Sequence, residues 1–83
     1  MFFGILIRMY LGNKDHNPPH IHAYYQSKRA TFDIKTGDKI EGKLSSDKEK
    51  LVSAWMILHK EELLANWDLA QNGELPFKID PLR

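Results

Sequence analysis

Cysteine is absent from the 83-residue chain. Disulfides, thiolate metal sites and cysteine nucleophiles are therefore excluded together, leaving histidine and carboxylate as the possible metal ligands. A chain without disulfides suits a reducing compartment, and a cytoplasmic location is expected. Charge of either sign is not in excess. Twelve Lys/Arg face eleven Asp/Glu, a formal net charge of +1, so no strong overall field draws the chain to nucleic acid. Residues 1–50 hold nine Lys/Arg and six Asp/Glu, and residues 51–83 hold three and five. A long apolar run is lacking too. The stretch Met1 to Leu11 is cut by Arg8 and is too short to cross a bilayer as a helix. It has neither a basic leader nor a small-residue cleavage site, so no signal peptide and no membrane association are expected. Gly-rich phosphate loops, serine nucleophile elbows and HExxH helices are missing as well. The size predicts one domain over residues 1–83, with a thin core and any site shallow or shared with a partner.

What is present is periodicity. Phe3, Ile5, Ile7, Met9 and Leu11 alternate with Arg8 and Tyr10 among the intervening residues, the pattern of a half-buried strand. Gly12 to Pro19 holds turn formers and two prolines, and reads as a loop. A second strand follows, with Ile21, Ala23 and Tyr25 on one side and His20, His22 and Tyr24 on the other. A third, Arg29 to Lys35, turns Ala30, Phe32 and Ile34 inward. After the reversal Thr36-Gly37-Asp38 comes a weaker fourth strand, Lys39 to Leu44, carrying Ile40 and Leu44 inward. Short connectors make strands two to four an antiparallel meander, with strand one beside strand two.

The period then changes. Ser46 and Glu49 form a capping-box pattern, and Asp47 to Gln71 contains neither Gly nor Pro. Leu51, Val52, Trp55, Leu58, His59, Leu63, Asn66, Trp67 and Ala70 recur at three- and four-residue spacings on one helical face, ended by Asn72-Gly73. A single helix of that length would be about 37 Å long. Trp55 and Trp67 read as core anchors, His59 as a boundary residue, and Lys60-Glu61-Glu62 as a solvated face. Glu74 to Arg83 contains two prolines with Phe77, Ile79 and Leu82, an extended tail that docks on its own domain or in a partner's groove. The fold class expected is α+β: a four-stranded antiparallel sheet packed on one face by a single long C-terminal helix, with an extended tail.

That architecture leaves the other sheet face uncovered, with Arg8, Tyr10, His20, His22, Tyr24, Thr31 and Asp33 on it. The concentrated signal is Asp15-His16-Asn17-Pro18-Pro19-His20-Ile21-His22, which holds three of the four histidines. His20 and His22 point the same way from a strand, with Cα atoms roughly 6.6 Å apart. The spacing suits two imidazoles on one divalent metal such as zinc, with His16 as a third ligand and Asp15 or Asp33 orienting a ring. The same rings could instead act as general acid and base in RNA cleavage, with Arg8, Lys14 or Arg29 holding the phosphate. A third reading gives them only structural hydrogen bonds around a stiff proline loop. As a surface, Tyr10, Tyr24, Lys14 and Arg29 suit binding: stacking and phosphate pairing with nucleic acid, or burial in a homodimer or against a small protein partner.

Phe2-Phe3-Gly4-Ile5, the DHNPPHIH string at 15–22, Glu41-Gly42-Lys43-Leu44, the helical Trp55, Leu58-His59, Asn66-Trp67 pattern and Lys78-Ile79-Asp80-Pro81-Leu82 together resemble the bacterial family called domain of unknown function 4160. The resemblance covers nearly the whole chain, although Ile21 stands where a phenylalanine is expected in the string. It implies a small cytoplasmic protein in a toxin–antitoxin-like arrangement with a protein partner, and it assigns no catalytic residue.

The leading expectation is a noncatalytic binding or regulatory module. The rival is a small ribonuclease-type toxin, or a metal-binding protein, using His16, His20 and His22 with Arg8 or Arg29. A growth assay separates them. Expression of a ribonuclease arrests growth, and His20→Ala with His22→Ala relieves the arrest in a protein that still folds; a harmless wild type, or equal toxicity of the double variant, rejects the histidine mechanism.

Overall fold

The computed structural model describes residues 3–10 and 18–80. Four strands form one antiparallel sheet in chain order: β1 (Ile5–Arg8), β2 (His20–Tyr25), β3 (Lys28–Asp33) and β4 (Lys39–Gly42). Two helices follow, α1 (Ser46–Leu58) and α2 (Lys60–Gln71). The alternation read from the sequence sets the sheet's inner face. Ile5, Ile21, Ala23, Ala30, Phe32 and Ile34 are buried there with Leu44, against Val52, Trp55, Met56, Leu63 and Trp67 of the helices. Burial of each large apolar side chain contributes about 1.5–3 kcal/mol, so this layer is the main source of stability.

Three local expectations are corrected. β1 is shorter than the Phe3–Leu11 run: Phe3 is exposed and holds a positive φ of 49°, while Leu11 lies outside the described residues. Ile40 does not face the core and is 50% exposed. In the β3–β4 register Thr31 pairs with Glu41 and Phe32 with Lys39. Ile40 is thus the extra residue of a bulge, which breaks the alternation that would have turned it inward. The capping device also sits one residue earlier than expected. Ser45, with extended backbone, occupies the N-cap, and the Glu49 carboxylate accepts the Leu44 N–H at 2.9 Å and the Lys39 ammonium at 3.2 Å. The Leu44 N–H first, and then Lys39, hold the Glu49 carboxyl below its ordinary range against the opposing effect of burial.

The single long helix is the larger correction. His59 leaves helical geometry, at φ −116° and ψ 24°, and divides α1 from α2. A rod of about 37 Å would outrun a molecule whose longest extent is 33 Å. The break lets two shorter helices stay over the sheet. Locally, His59 Nδ1 lies 2.7 Å from Glu62 Oε1, and Glu61 and Glu62 occupy the first turn of α2, where acidic groups favour a helix start. Lys60, Glu61 and Glu62 are exposed, as a solvated face requires, and they also open the new helix. The buried stripe continues through the break, but Leu58 falls off it and is 68% exposed.

α2 ends in a Schellman motif: Glu74 N–H bonds the Leu69 carbonyl at 2.9 Å, Gly73 N–H bonds the Ala70 carbonyl at 3.0 Å, and Gly73 has φ +77°. The described part of the tail then docks on its own domain. Buried Asn66 donates to the Phe77 carbonyl and accepts the Phe77 N–H, both at 2.8 Å, and Trp55 Nε1 donates to the Asp80 carbonyl at 2.8 Å.

Gly42 offers a stability test. It has φ +79°, and a Cβ there would overlap the Arg29 carbonyl and crowd the Ala30 Cα. Gly42→Ala is expected to destabilise by more than about 2 kcal/mol, adding a backbone clash to the left-handed penalty. Gly73→Ala, with nothing within 4 Å of its added Cβ, should cost about 1 kcal/mol from the backbone alone. Chemical denaturation of the two variants measures the difference, and equal losses would contradict the close β3–β4 approach.

Candidate functional site on the open sheet face

The strand register assembles the outer face. Arg8 pairs with His22, His22 with Thr31, and Thr31 with Glu41, making one cross-strand row. Leu6, Tyr24 and Arg29 make a second, and His20 lies opposite Asp33. Because β2 is an interior strand, its His22 and Tyr24 lie between the arginines of β1 and β3.

The side chains along this face are linked. The Tyr10 and Tyr24 hydroxyl oxygens are 2.6 Å apart. The Tyr10 ring lies 4.9 Å from that of His22, which meets His20 edge-on at 5.1 Å. His20 in turn lies 5.0 Å from the ring of Trp67 on α2. Aromatic contact thus runs from the open face to the helical layer at one end of the sheet. Thr31 Oγ1 is 3.3 Å from His22 Nδ1. His20 Nδ1 is 2.7 Å from the Pro18 carbonyl; a carbonyl can only accept, so the proton of that bond belongs to Nδ1. Pro18 therefore orients the first histidine of the pair, and the Ile34 N–H bond to the Pro19 carbonyl at 2.9 Å holds the proline segment against the end of β3.

The phenol pair is electrostatically uneven. Tyr24 is shifted below the usual tyrosine range, first by the hydrogen bond from Tyr10, while burial opposes, and then by Arg29 and Arg8. Tyr10 is shifted upward, first because it hydrogen-bonds Tyr24. Either hydroxyl can donate in this bond, and the unequal shifts make Tyr24 the more acidic phenol of the two. Ion pairs among the described residues join Lys39 to Glu49, Lys48 to Asp47 and His59 to Glu62, and neither Arg8 nor Arg29 takes part.

Of the residues singled out in the sequence, Arg8, Tyr10, His20, His22, Tyr24 and Arg29 share this face. His16, Lys14 and Asp15 lie outside the described residues, so a three-histidine set is not assembled within them. Among the described residues no group of three His, Cys, Asp or Glu side chains could hold a metal ion. Asp33 is committed to a turn, its Oδ1 accepting the Lys35 and Thr36 N–H groups at 2.8 and 3.3 Å. Two contributions escaped sequence reasoning. Trp67 is a buried core anchor and also backs His20. Asn66 clamps the tail, and a polar residue inside an apolar stripe was the signal for it, since a buried amide needs partners.

Beside the face runs an open groove of about 690 Å³, between Ile7 to Tyr10 on one wall and the tail residues Pro76 to Asp80 on the other, with Ile21, Trp55, Leu63 and Asn66 also lining it. Arg8 and Tyr10 belong to both surfaces. No helix among the described residues is long and apolar enough to cross a membrane.

Fold and face together define a small α+β domain with an apolar helical roof on one side of its sheet and an open face of aromatic and cationic groups on the other. Residues 4–68 match the model of the family described as Domain of unknown function (DUF4160), and the chain belongs to that family. The match ends within α2, so the docked tail lies beyond it. No curated protein and no solved structure matches the chain.

The uneven phenol pair makes a measurable prediction. In an alkaline titration followed by tyrosinate absorbance, one of the three tyrosines should ionise early, and Tyr10→Phe should move that step upward by removing the donor to Tyr24. An unchanged early step would show that Tyr10 is not the cause.

Proposed function

We propose that the protein is a noncatalytic binding module whose open sheet face holds single-stranded nucleic acid. The observation that carries this reading is the placement of His22 and Tyr24 on an interior strand, between Arg8 and Arg29. Aromatic side chains on such a strand give unstacked bases a platform, and flanking guanidinium groups pair with the phosphates that connect them. Arg8 and Lys78 both line the adjoining groove.

The histidines favour binding over cleavage. Their rings touch each other, and the Nδ1 of His20 is engaged with Pro18. An acid and base working on one phosphodiester act from different sides of it, which a pair in direct ring contact does not provide. Within a toxin–antitoxin-like system, a module of this kind regulates by occupying a transcript rather than cutting it.

Fluorescence anisotropy with short single-stranded and double-stranded RNA tests the reading. Saturable binding at low salt is expected for the single strand, weaker for the duplex. Tyr24→Ala should weaken it by about 1–3 kcal/mol through lost stacking, and Arg29→Ala should lower the slope of log affinity against log salt by about one. Absence of saturable binding, or affinities indifferent to both substitutions, would overturn it.

A further inference from the structure

The arginines on the open face do more than flank a platform. Arg29 lies opposite Tyr24 in the register, while Arg8 lies opposite His22, whose ring packs on Tyr10. Tyr10 and Tyr24 are themselves joined at their hydroxyls. Both guanidinium groups act on both phenol oxygens, favouring the ionised form of each. The joined phenols and the two arginines therefore occupy neighbouring positions on one face.

The chemistry there is one-sided. Guanidinium groups only donate hydrogen bonds. One phenol proton is taken up between the two oxygens, and the other O–H remains to donate outward. Neither arginine is neutralised by a carboxylate among the described residues. Outward donors with two positive charges on neighbouring rows call for an acceptor-only ligand of high local charge. A phosphodiester within a strand carries a single negative charge, whereas a phosphate monoester carries about −1.5 to −2 at neutral pH and offers three terminal oxygens. The monoester is the better match in charge and in number of acceptors.

We propose that Arg8, Arg29, Tyr10 and Tyr24 form a site for a phosphate monoester, which on a single-stranded nucleic acid is its terminal phosphate. This rests on reading the face as the nucleic-acid contact: the platform takes the bases, and this site selects the end of the strand.

The test uses the full chain and short single-stranded RNAs, labelled at the 3′ end, that differ only in a 5′-phosphate or a 5′-hydroxyl. The phosphorylated RNA should bind about tenfold tighter or better, as expected for added charge-assisted bonds. Inorganic phosphate should compete with it. Arg29→Lys, which keeps charge but loses the planar fork, and Tyr24→Phe should each remove the preference while circular dichroism stays unchanged. Equal binding of the two RNAs overturns the monoester site and leaves the platform reading intact. If neither RNA binds, the platform reading fails, and the site is judged with inorganic phosphate alone by NMR. Saturable shifts of the Tyr10 and Tyr24 ring signals then support a site for free phosphate, and their absence overturns it.

Discussion

Ile21 and Ala23 are wholly buried on β2, and the period of two then places His20, His22 and Tyr24 on the opposite side of the same strand. A one-residue slip would send the imidazoles and the phenol into the apolar layer and expose the aliphatic residues. The face is thus specified by hydrophobic burial on the opposite side of the strand. Because β2 pairs with both β1 and β3, the same constraint transmits to Arg8 and Arg29, whose places follow from pairing with His22 and Tyr24.

One roof over one face is what a chain of this size can build. The roof is fitted to the sheet by the break at His59, and α2 after that break brings Trp67 against His20 while Asn66 holds the tail. The break, the clamp and the aromatic contact therefore belong to one packing solution. Asn66 is buried at little cost because both halves of its amide meet the backbone of Phe77. In doing so it supplies the far wall of the groove that Arg8 and Tyr10 enter from the sheet side.

Strand and core positions were legible wherever alternation was undisturbed, as at Ile21, Ala23, Ala30, Phe32 and Ile34. They failed where local geometry inserted an irregularity: the bulge at Ile40, the positive φ at Phe3 and the N-cap at Ser45. The helix break was hidden because the apolar stripe keeps phase through it. Its signal was the acidic pair Glu61-Glu62 just after His59, which reads equally as a solvated face. Site membership was legible for the face as a set, since parity alone assigns Arg8, Tyr10, His22 and Tyr24 to it. The contact of Tyr10 with Tyr24 needed the β1–β2 register, and that of His20 with Trp67 needed the helical path, neither of which periodicity contains.

The near-zero net charge does not argue against an anion site on this face. At physiological ionic strength charges separated by more than about 8 Å are largely screened, so the groups at the ligand decide, rather than the sum over the chain. The acidic excess beyond residue 50 falls largely on the helices, with Glu61, Glu62 and Asp68 exposed there. Arg8 and Arg29 stand on the sheet, and Asp33, the carboxylate opposite His20, is drawn into the turn at Lys35 and Thr36. The strand register thus sets Arg8 and Arg29 on the face of the phenol pair, with Glu41 at the far end of the Arg8 row, and it is this placement rather than the amount of charge that decides what the face can hold.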